Sequence, residues 1–235
     1  MLNALQWSFW LVGLSLQALL LLRLCQGAAK EFPALLAYIL CLLVTTVADI
    51  IGYVSLGKRS VTYLQLYWSA ELIRQSALLA MVVSLAIHAL PPGRRTDSYT
   101  RILIVAAGVV WIGSMGLFYV PDLNDWMTAV ARNLSFFTGV LNLLVWFAYV
   151  RGEVRDPTRL LIAAGLGLQM SGEAIGQATR LLDMVRSVRL GGSIFIVVTH
   201  LLCLFIWWRA IAASGTTILD EPRFSPVEGA NAGKA

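Results

Sequence analysis

The feature that most constrains this chain is a succession of seven apolar stretches, roughly 5–24, 33–56, 61–89, 101–121, 126–150, 158–183 and 190–212, separated by short links. A helix needs about 20 mostly apolar residues to cross the hydrocarbon core of a bilayer. Lipid offers no partner for an open backbone, so stretches of this length specify helices rather than strands or loops. Of the 235 residues, 58% are hydrophobic and 13% charged, with a mean hydropathy of +0.75, well beyond a soluble domain of that length. The expected fold is all-α: a polytopic membrane bundle of seven transmembrane helices over 1–212, then a flexible tail over 213–235.

The net charge of +5 is informative through its distribution. Arg23 and Lys30 fall between helices 1 and 2, Arg94, Arg95 and Arg101 between 3 and 4, and Arg151, Arg155 and Arg159 between 5 and 6. They share a side with Arg209, Arg223 and Lys234 near the C-terminus. The opposite side has Lys58, Arg59, Arg186 and Arg189, and no Lys or Arg around Asp122 and Asp125. The positive-inside rule then places the N-terminus outside and the C-terminus in the cytoplasm. The bilayer is the partner this composition implies; nucleic acid is not.

No Lys or Arg precedes helix 1, so it lacks the basic start of a signal peptide and is expected to stay attached. Cys25 in "RLCQ" makes a poor lipoprotein site, because an arginine stands close before it and the charge bias puts it inside. Cys25, Cys41 and Cys203 have no CxxC spacing and suggest neither a disulfide nor a thiolate metal site. The main breaks are "LPPGRRTDS" (90–98) and "RGEVRDPTR" (151–159), with Pro157 placed to open helix 6. The tail is too polar to fold alone, and no kinase or cyclase domain is expected of it. Trp7, Trp10, Tyr119 and Trp126 at one side and Trp146, Tyr149, Trp207 and Trp208 at the other read as interfacial belts.

Two helices depart from this apolar plan. On helix 6, Gln169, Glu173, Gly176, Gln177 and Arg180 follow i, i+4, i+7, i+8 and i+11, a single helical stripe. Helix 3 carries a shorter one in Tyr67, Glu71, Arg74 and Gln75, which turns apolar at Leu78. With a rise of about 1.5 Å per residue, Glu71 and Glu173 both lie about 15 Å below the outer surface. His200 is at a similar level, while Asp49, Arg132 and Arg180 are shallower. Ionised groups at such depth cost at least ~2.5–3.5 kcal/mol each, so they should face inward and pair.

Asp49, Glu71 and Glu173 balance Arg74, Arg132 and Arg180, with Gln75, Asn133, Gln177 and His200 available to complete the hydrogen bonding. This set, together with Tyr67 and Gln169 of the two stripes, is the candidate ligand site, a charge network open to the outside. The competing reading is that these groups only hold helices together, as Gly172 and Gly176 can by close packing.

A weak internal repeat runs alongside. Pro33 precedes Asp49 by sixteen residues and Pro157 precedes Glu173 by sixteen, within "ADIIGY" (48–53) and "GEAIGQ" (172–177). Helices 1–3 and 5–7 would then be parallel repeats joined by helix 4, as in some transporters. Chance likeness between apolar helices is the competing explanation.

Several chemistries are set aside. Retinal needs a lysine on helix 7, and the lysines are Lys30, Lys58 and Lys234. His88 and His200 lie at different depths and do not make a shared metal or haem site, and arginines beside Glu71, Glu173 and His200 oppose a metal there. No GxSxG, HExxH, P-loop or GxGxxG context occurs. No catalytic residue, metal or cofactor is assigned.

The segments "RNLSFFTGVLNLLVWF", "GLGLQMSGEAIGQATR" and "HLLCLFIWW" resemble a set of uncharacterised seven-helix proteins of acidobacterial genomes, over helices 5–7. The resemblance implies a bacterial inner-membrane location and no mechanism. The N-out seven-helix plan is distantly similar to sensor modules of bacterial histidine kinases. The leading expectation is therefore a receptor-like module that takes a small polar ligand and signals through a membrane partner or another copy of itself. The alternatives are a transporter of two three-helix repeats, an enzyme using Glu71 or Glu173 as acid or base, and a structural subunit of a larger complex.

Overall fold

The computed structural model describes residues 2–57, 60–90, 97–116, 121–151, 156–181 and 186–217; side chains at 2–6, 97, 124, 177, 180–181, 186–189 and 214–217 lie outside that description. Among the described residues there are seven long helices and no strand: α1 (Leu2–Cys25), α2 (Pro33–Leu56), α3 (Val61–Ala89), α4 (Asp97–Gly116), α5 (Leu123–Arg151), α6 (Pro157–Leu181) and α7 (Arg186–Thr217). A single 3-10 turn, Ala28–Lys30, joins α1 to α2. Six helices are long and apolar enough to cross a membrane; α6, whose polar stripe lowers its apolarity, is the seventh.

Helix boundaries follow local chemistry. Pro33 opens α2 at a position where its missing N–H costs nothing. Gly57 closes α2 at φ 77°, a left-handed conformation that a side chain would oppose. Asp122 and Asp156 cap α5 and α6, each accepting a backbone N–H three residues on, at 3.1 and 3.0 Å. Leu90 is extended at ψ 139° because the ring of the following proline disfavours helix there. Helix α7 continues to Thr217, past the boundary expected at 212, since no proline intervenes before residue 222. Residues 91–96, most of the first expected break, and 218–235 of the tail lie outside the described residues.

Each helix runs antiparallel to the next. They close a ring in the order α1, α2, α3, α5, α6, α7 and back to α1, with α4 outside it against α3 and α5. Only 6% of the apolar span of α4 is buried in protein. Two indole N–H groups hold it: Trp111 donates to Ser76 Oγ at 2.9 Å, and Trp126 to the Met115 carbonyl at 3.1 Å. Its Ile102, Val105, Val109 and Ile112 face outward, as lipid contact requires. In a six-membered ring of this order α1 stands opposite α5, α2 opposite α6 and α3 opposite α7.

The end where α1 begins is called upper and the end where it finishes lower, as labels only. The lower half is a dry core in which Leu20, Tyr38, Leu78, Met81, Ile162, Leu166 and Trp207 are all but inaccessible. Trp207 and Tyr149, which the sequence suggested for an interfacial belt, are buried inside the bundle. Both turn inward because the bundle offers their polar tips a carbonyl: Trp207 Nε1 donates to Ile162 O at 2.9 Å and Tyr149 Oη to Leu85 O at 3.2 Å. Helices α6 and α7 approach closely: a Cβ at Gly172 would overlap Thr199 and one at Gly176 would overlap Ile196.

Candidate functional site

Glu173 projects from α6 into the ring at the level where the dry core gives way to polar residues. Its Oε2 accepts hydrogen bonds from Gln75 Nε2 and Ser135 Oγ, both at 2.8 Å, and its Oε1 accepts one from Gln169 Nε2 at 3.0 Å. Helices α3, α5 and α6 thus each supply a neutral donor to one carboxylate. Gln169 Nε2 also lies 3.3 Å from Tyr38 Oη on α2, which draws the fourth helix in.

The chain of contacts continues upward along α3. Gln75 Nε2 donates to Glu71 Oε1 at 3.1 Å, so a single amide nitrogen bridges two acids. Glu71 in turn pairs with Arg74 one turn away. The side chains of Arg74 and Glu71 keep 21% and 15% exposure, while Gln75 and Gln169 keep 2%. The ion pair is therefore the accessible edge of the cluster and the amides are its enclosed interior.

Asp49 is separate from this chain. It accepts a hydrogen bond from Tyr63 Oη at 3.0 Å, at the α2–α3 contact, beside an edge-to-face run of Trp10, Tyr53 and Tyr63 that continues to Tyr67 and Trp68. Arg132, Asn133 and His200 are half-buried and, among the described residues, make no hydrogen bond to Glu173 or its partners. Asn133 Nδ2 is buried without a partner, as is Gln169 Oε1. The side chains of Gln177 and Arg180 lie outside the described residues. Among the described residues no three His, Cys, Asp or Glu side chains gather as a metal site would require.

Tyr38 and Ser135 belong to the cluster and sequence reasoning passed over both. Ser135 lies three residues after Arg132 on the same helical face. Tyr38 is a phenol deep in an apolar helix, and a buried hydroxyl usually needs a partner. These were the available signals.

Below Gln169 and Tyr38 the ring is filled by Leu78, Met81, Leu166, Leu204 and Trp207, none above 1% exposed. Asn142 is buried further down and spends its amide on the Ala163 carbonyl at 2.8 Å. His88 lines a cleft at the lower end with Glu31, Phe32 and Arg159, whose inner wall is Met81 and Ile162. Apolar side chains thus part the upper cluster from the lower cleft among the described residues.

Comparison with protein-family models, with curated proteins and with solved structures finds no match for the chain. The likeness of helices 5–7 to acidobacterial proteins gains no support from it, and the geometry alone carries the functional reading.

Proposed function

We propose that this chain is a receptor-like membrane protein that takes a small polar or zwitterionic ligand in the upper half of the ring, at the layer topped by Glu71 and Arg74. The observation that carries the reading is a continuous hydrogen-bonded chain, Arg74–Glu71–Gln75–Glu173–Gln169–Tyr38, which ties α2, α3 and α6 together above a dry floor. A ligand that takes over part of this chain changes how those helices hold one another. It shifts a conformational equilibrium only if it binds one packing better than the other, and the close α6–α7 contact at Gly172 and Gly176 is a place where two packings can differ. Arg74 and the half-buried Arg132 suit an anionic group and Glu173 a cationic one. In this reading the lower end is cytoplasmic, by the Lys/Arg bias. The membrane is a bacterial inner membrane, and the signal passes to another membrane protein or a second copy.

The test is thermal unfolding of the purified full-length protein in lipid nanodiscs, titrated with glycine betaine, γ-aminobutyrate and free amino acids. A ligand at 100 times its Kd adds about 2.7 kcal/mol to stability. The expected result is a saturable rise with at least one zwitterion, lost in Arg74→Leu; no rise with any of them overturns the reading.

One observation favours the transporter as second reading: the ring sets α1–α3 opposite α5–α7 helix by helix, as two parallel repeats related by an axis along the membrane normal would be. Uptake of the same ligand into sealed proteoliposomes would promote it over the receptor.

A further inference from the structure

The cleft at the lower end takes no part in the upper cluster. It lies among the start of α2, the end of α3 and the start of α6, and α2 and α6 face each other across the ring, so it opens to water at the mouth of the bundle rather than to lipid. It encloses about 330 Å³, part of it open to the mouth, at the small end of the range of about 300–1,000 Å³ for ligand sites. Leu35, Met81 and Ile162 line its interior, each at most 2% exposed, beside Phe32, and the Arg159 guanidinium stands 5.8 Å from the centre of the Phe32 ring. Arg159 is paired with Asp156 at 3.1 Å, whereas Glu31 is exposed and has no ion pair among the described residues. A slot that is apolar within and acidic at its rim fits one large apolar side chain with a base beside it.

Helix α7 ends beside this mouth. Trp207 Nε1 reaches the Ile162 carbonyl, which sets position 207 level with the interior of the cleft, and α7 runs on to Thr217, about 15 Å further at about 1.5 Å per residue. Residues 218–235 follow. An extended chain covers at most about 3.3–3.6 Å per residue, and packed helices stand about 8–10 Å apart. Ile218 and Leu219 are therefore too near the end of α7 to cross to the cleft, while Phe224 can reach about 23 Å from Thr217, more than two helix spacings. Phe224 follows Arg223 directly. It stands between Pro222 and Pro226, and a proline favours an extended backbone at the residue before it.

We propose that the lower cleft is the docking site of this chain's own C-terminal segment, with the Phe224 ring against Met81 and Ile162 and Arg223 paired with Glu31. An aromatic side chain carries the largest apolar area a single residue can bury, about 150–250 Å², and a methionine sulfur packs favourably against its edge. The exposed Arg223–Glu31 pair adds little affinity and sets which way the segment lies. One ring is enough, because a short link gives it an effective concentration of about millimolar at the cleft. The docked segment closes the lower mouth, so a protein that reads this face has to displace it. The proposal depends neither on the ligand reading nor on which side of the membrane the lower end faces, since the end of α7 and the cleft share that side.

The test is photo-crosslinking of the full-length protein in nanodiscs, with the photo-reactive aromatic p-benzoylphenylalanine in place of Phe224 and the adducts mapped by mass spectrometry of the monomer. The expected result is an adduct within one chain, on the segment of Phe32 to Leu35 or that of Met81 to His88. Glu31→Arg should lower its yield by up to about fivefold, the worth of one exposed ion pair, and adding Arg223→Glu to that variant should restore it. Glu31 is exposed, so these variants keep the core intact. Adducts only to lipid or to other helices, adducts that join two chains and so assign the cleft to a second copy, or a yield indifferent to the charge exchange would each overturn the proposal.

Discussion

Asp49 and Glu173 stand at matching places in the sequence, each sixteen residues after a helix-opening proline and each followed three residues later by glycine. The glycines do the same work in both halves. A Cβ at Gly52 would be pushed against Leu66 on α3, and one at Gly176 against Ile196 on α7, so each lets its helix approach the next. The acids differ. Asp49 is closed locally by one phenol on the neighbouring helix, whereas Glu173 gathers donors from α3, α5 and α6. Close packing between consecutive helices is thus common to both halves, while long-range polar connection is concentrated at one. An acid becomes a hub only where its side chain enters the middle of the ring and meets helices distant in sequence.

The sharpest way to break this comparison is to remove each acid. Glu173→Ala removes three hydrogen bonds, from Gln75, Gln169 and Ser135, each of which keeps a second acceptor in Glu71, Tyr38 or Gln75; at about 1 kcal/mol for each bond lost, a total loss of about 3 kcal/mol is expected. Asp49→Ala strands only the Tyr63 hydroxyl and should cost about 1 kcal/mol. Unfolding midpoints in one nanodisc composition decide it; equal losses would mean that Glu173 is no more of a hub than Asp49.

The glycines provide the converse, a pair in which the two halves should agree. Gly52→Val and Gly176→Val each force a side chain into an occupied contact, and overpacking of this kind costs about 1–3 kcal/mol. Both variants should lose stability by similar amounts in the same melts. A large loss at Gly176 with none at Gly52 would confine close approach to the α6–α7 pair and weaken the case for two equivalent halves.

The bundle was legible in the sequence because lipid removes the alternatives: an apolar stretch long enough to span has to be a helix. The polar stripes of α3 and α6 were legible for the same reason, since charge stands out where almost nothing is charged. What sequence could not supply was which helices meet. Periodicity gives the face of one helix and says nothing of its partner, so the position of α4 outside the ring was not visible, nor was the convergence of Gln75 and Glu173, 98 residues apart. Charge also drew attention away from hydroxyls. On α5 the eye goes to Arg132, yet the side chain that reaches Glu173 is Ser135, one turn below. Trp207 shows the same limit, because an aromatic near the end of a span reads as an interfacial anchor until the bundle offers its N–H a carbonyl.

The finest distinction between the two acids lies in redundancy, and single hydroxyls test it. Tyr63→Phe removes the only hydrogen bond that Asp49 makes among the described residues, leaving a carboxylate that is 9% exposed without a donor. Ser135→Ala removes one donor of three from Glu173, and Gln75 and Gln169 remain in place. Although Glu173 is the more important acid, the order of the hydroxyl variants should therefore be reversed: about 1.5 kcal/mol for Tyr63→Phe and about 0.5 kcal/mol for Ser135→Ala. The difference arises because losing a sole partner exposes the full desolvation cost of the charge, while losing one of several lets the others tighten. Paired melts of the two variants in one nanodisc composition measure it. A larger loss for Ser135→Ala than for Tyr63→Phe would mean that the donors around Glu173 act as one unit, none able to substitute for another.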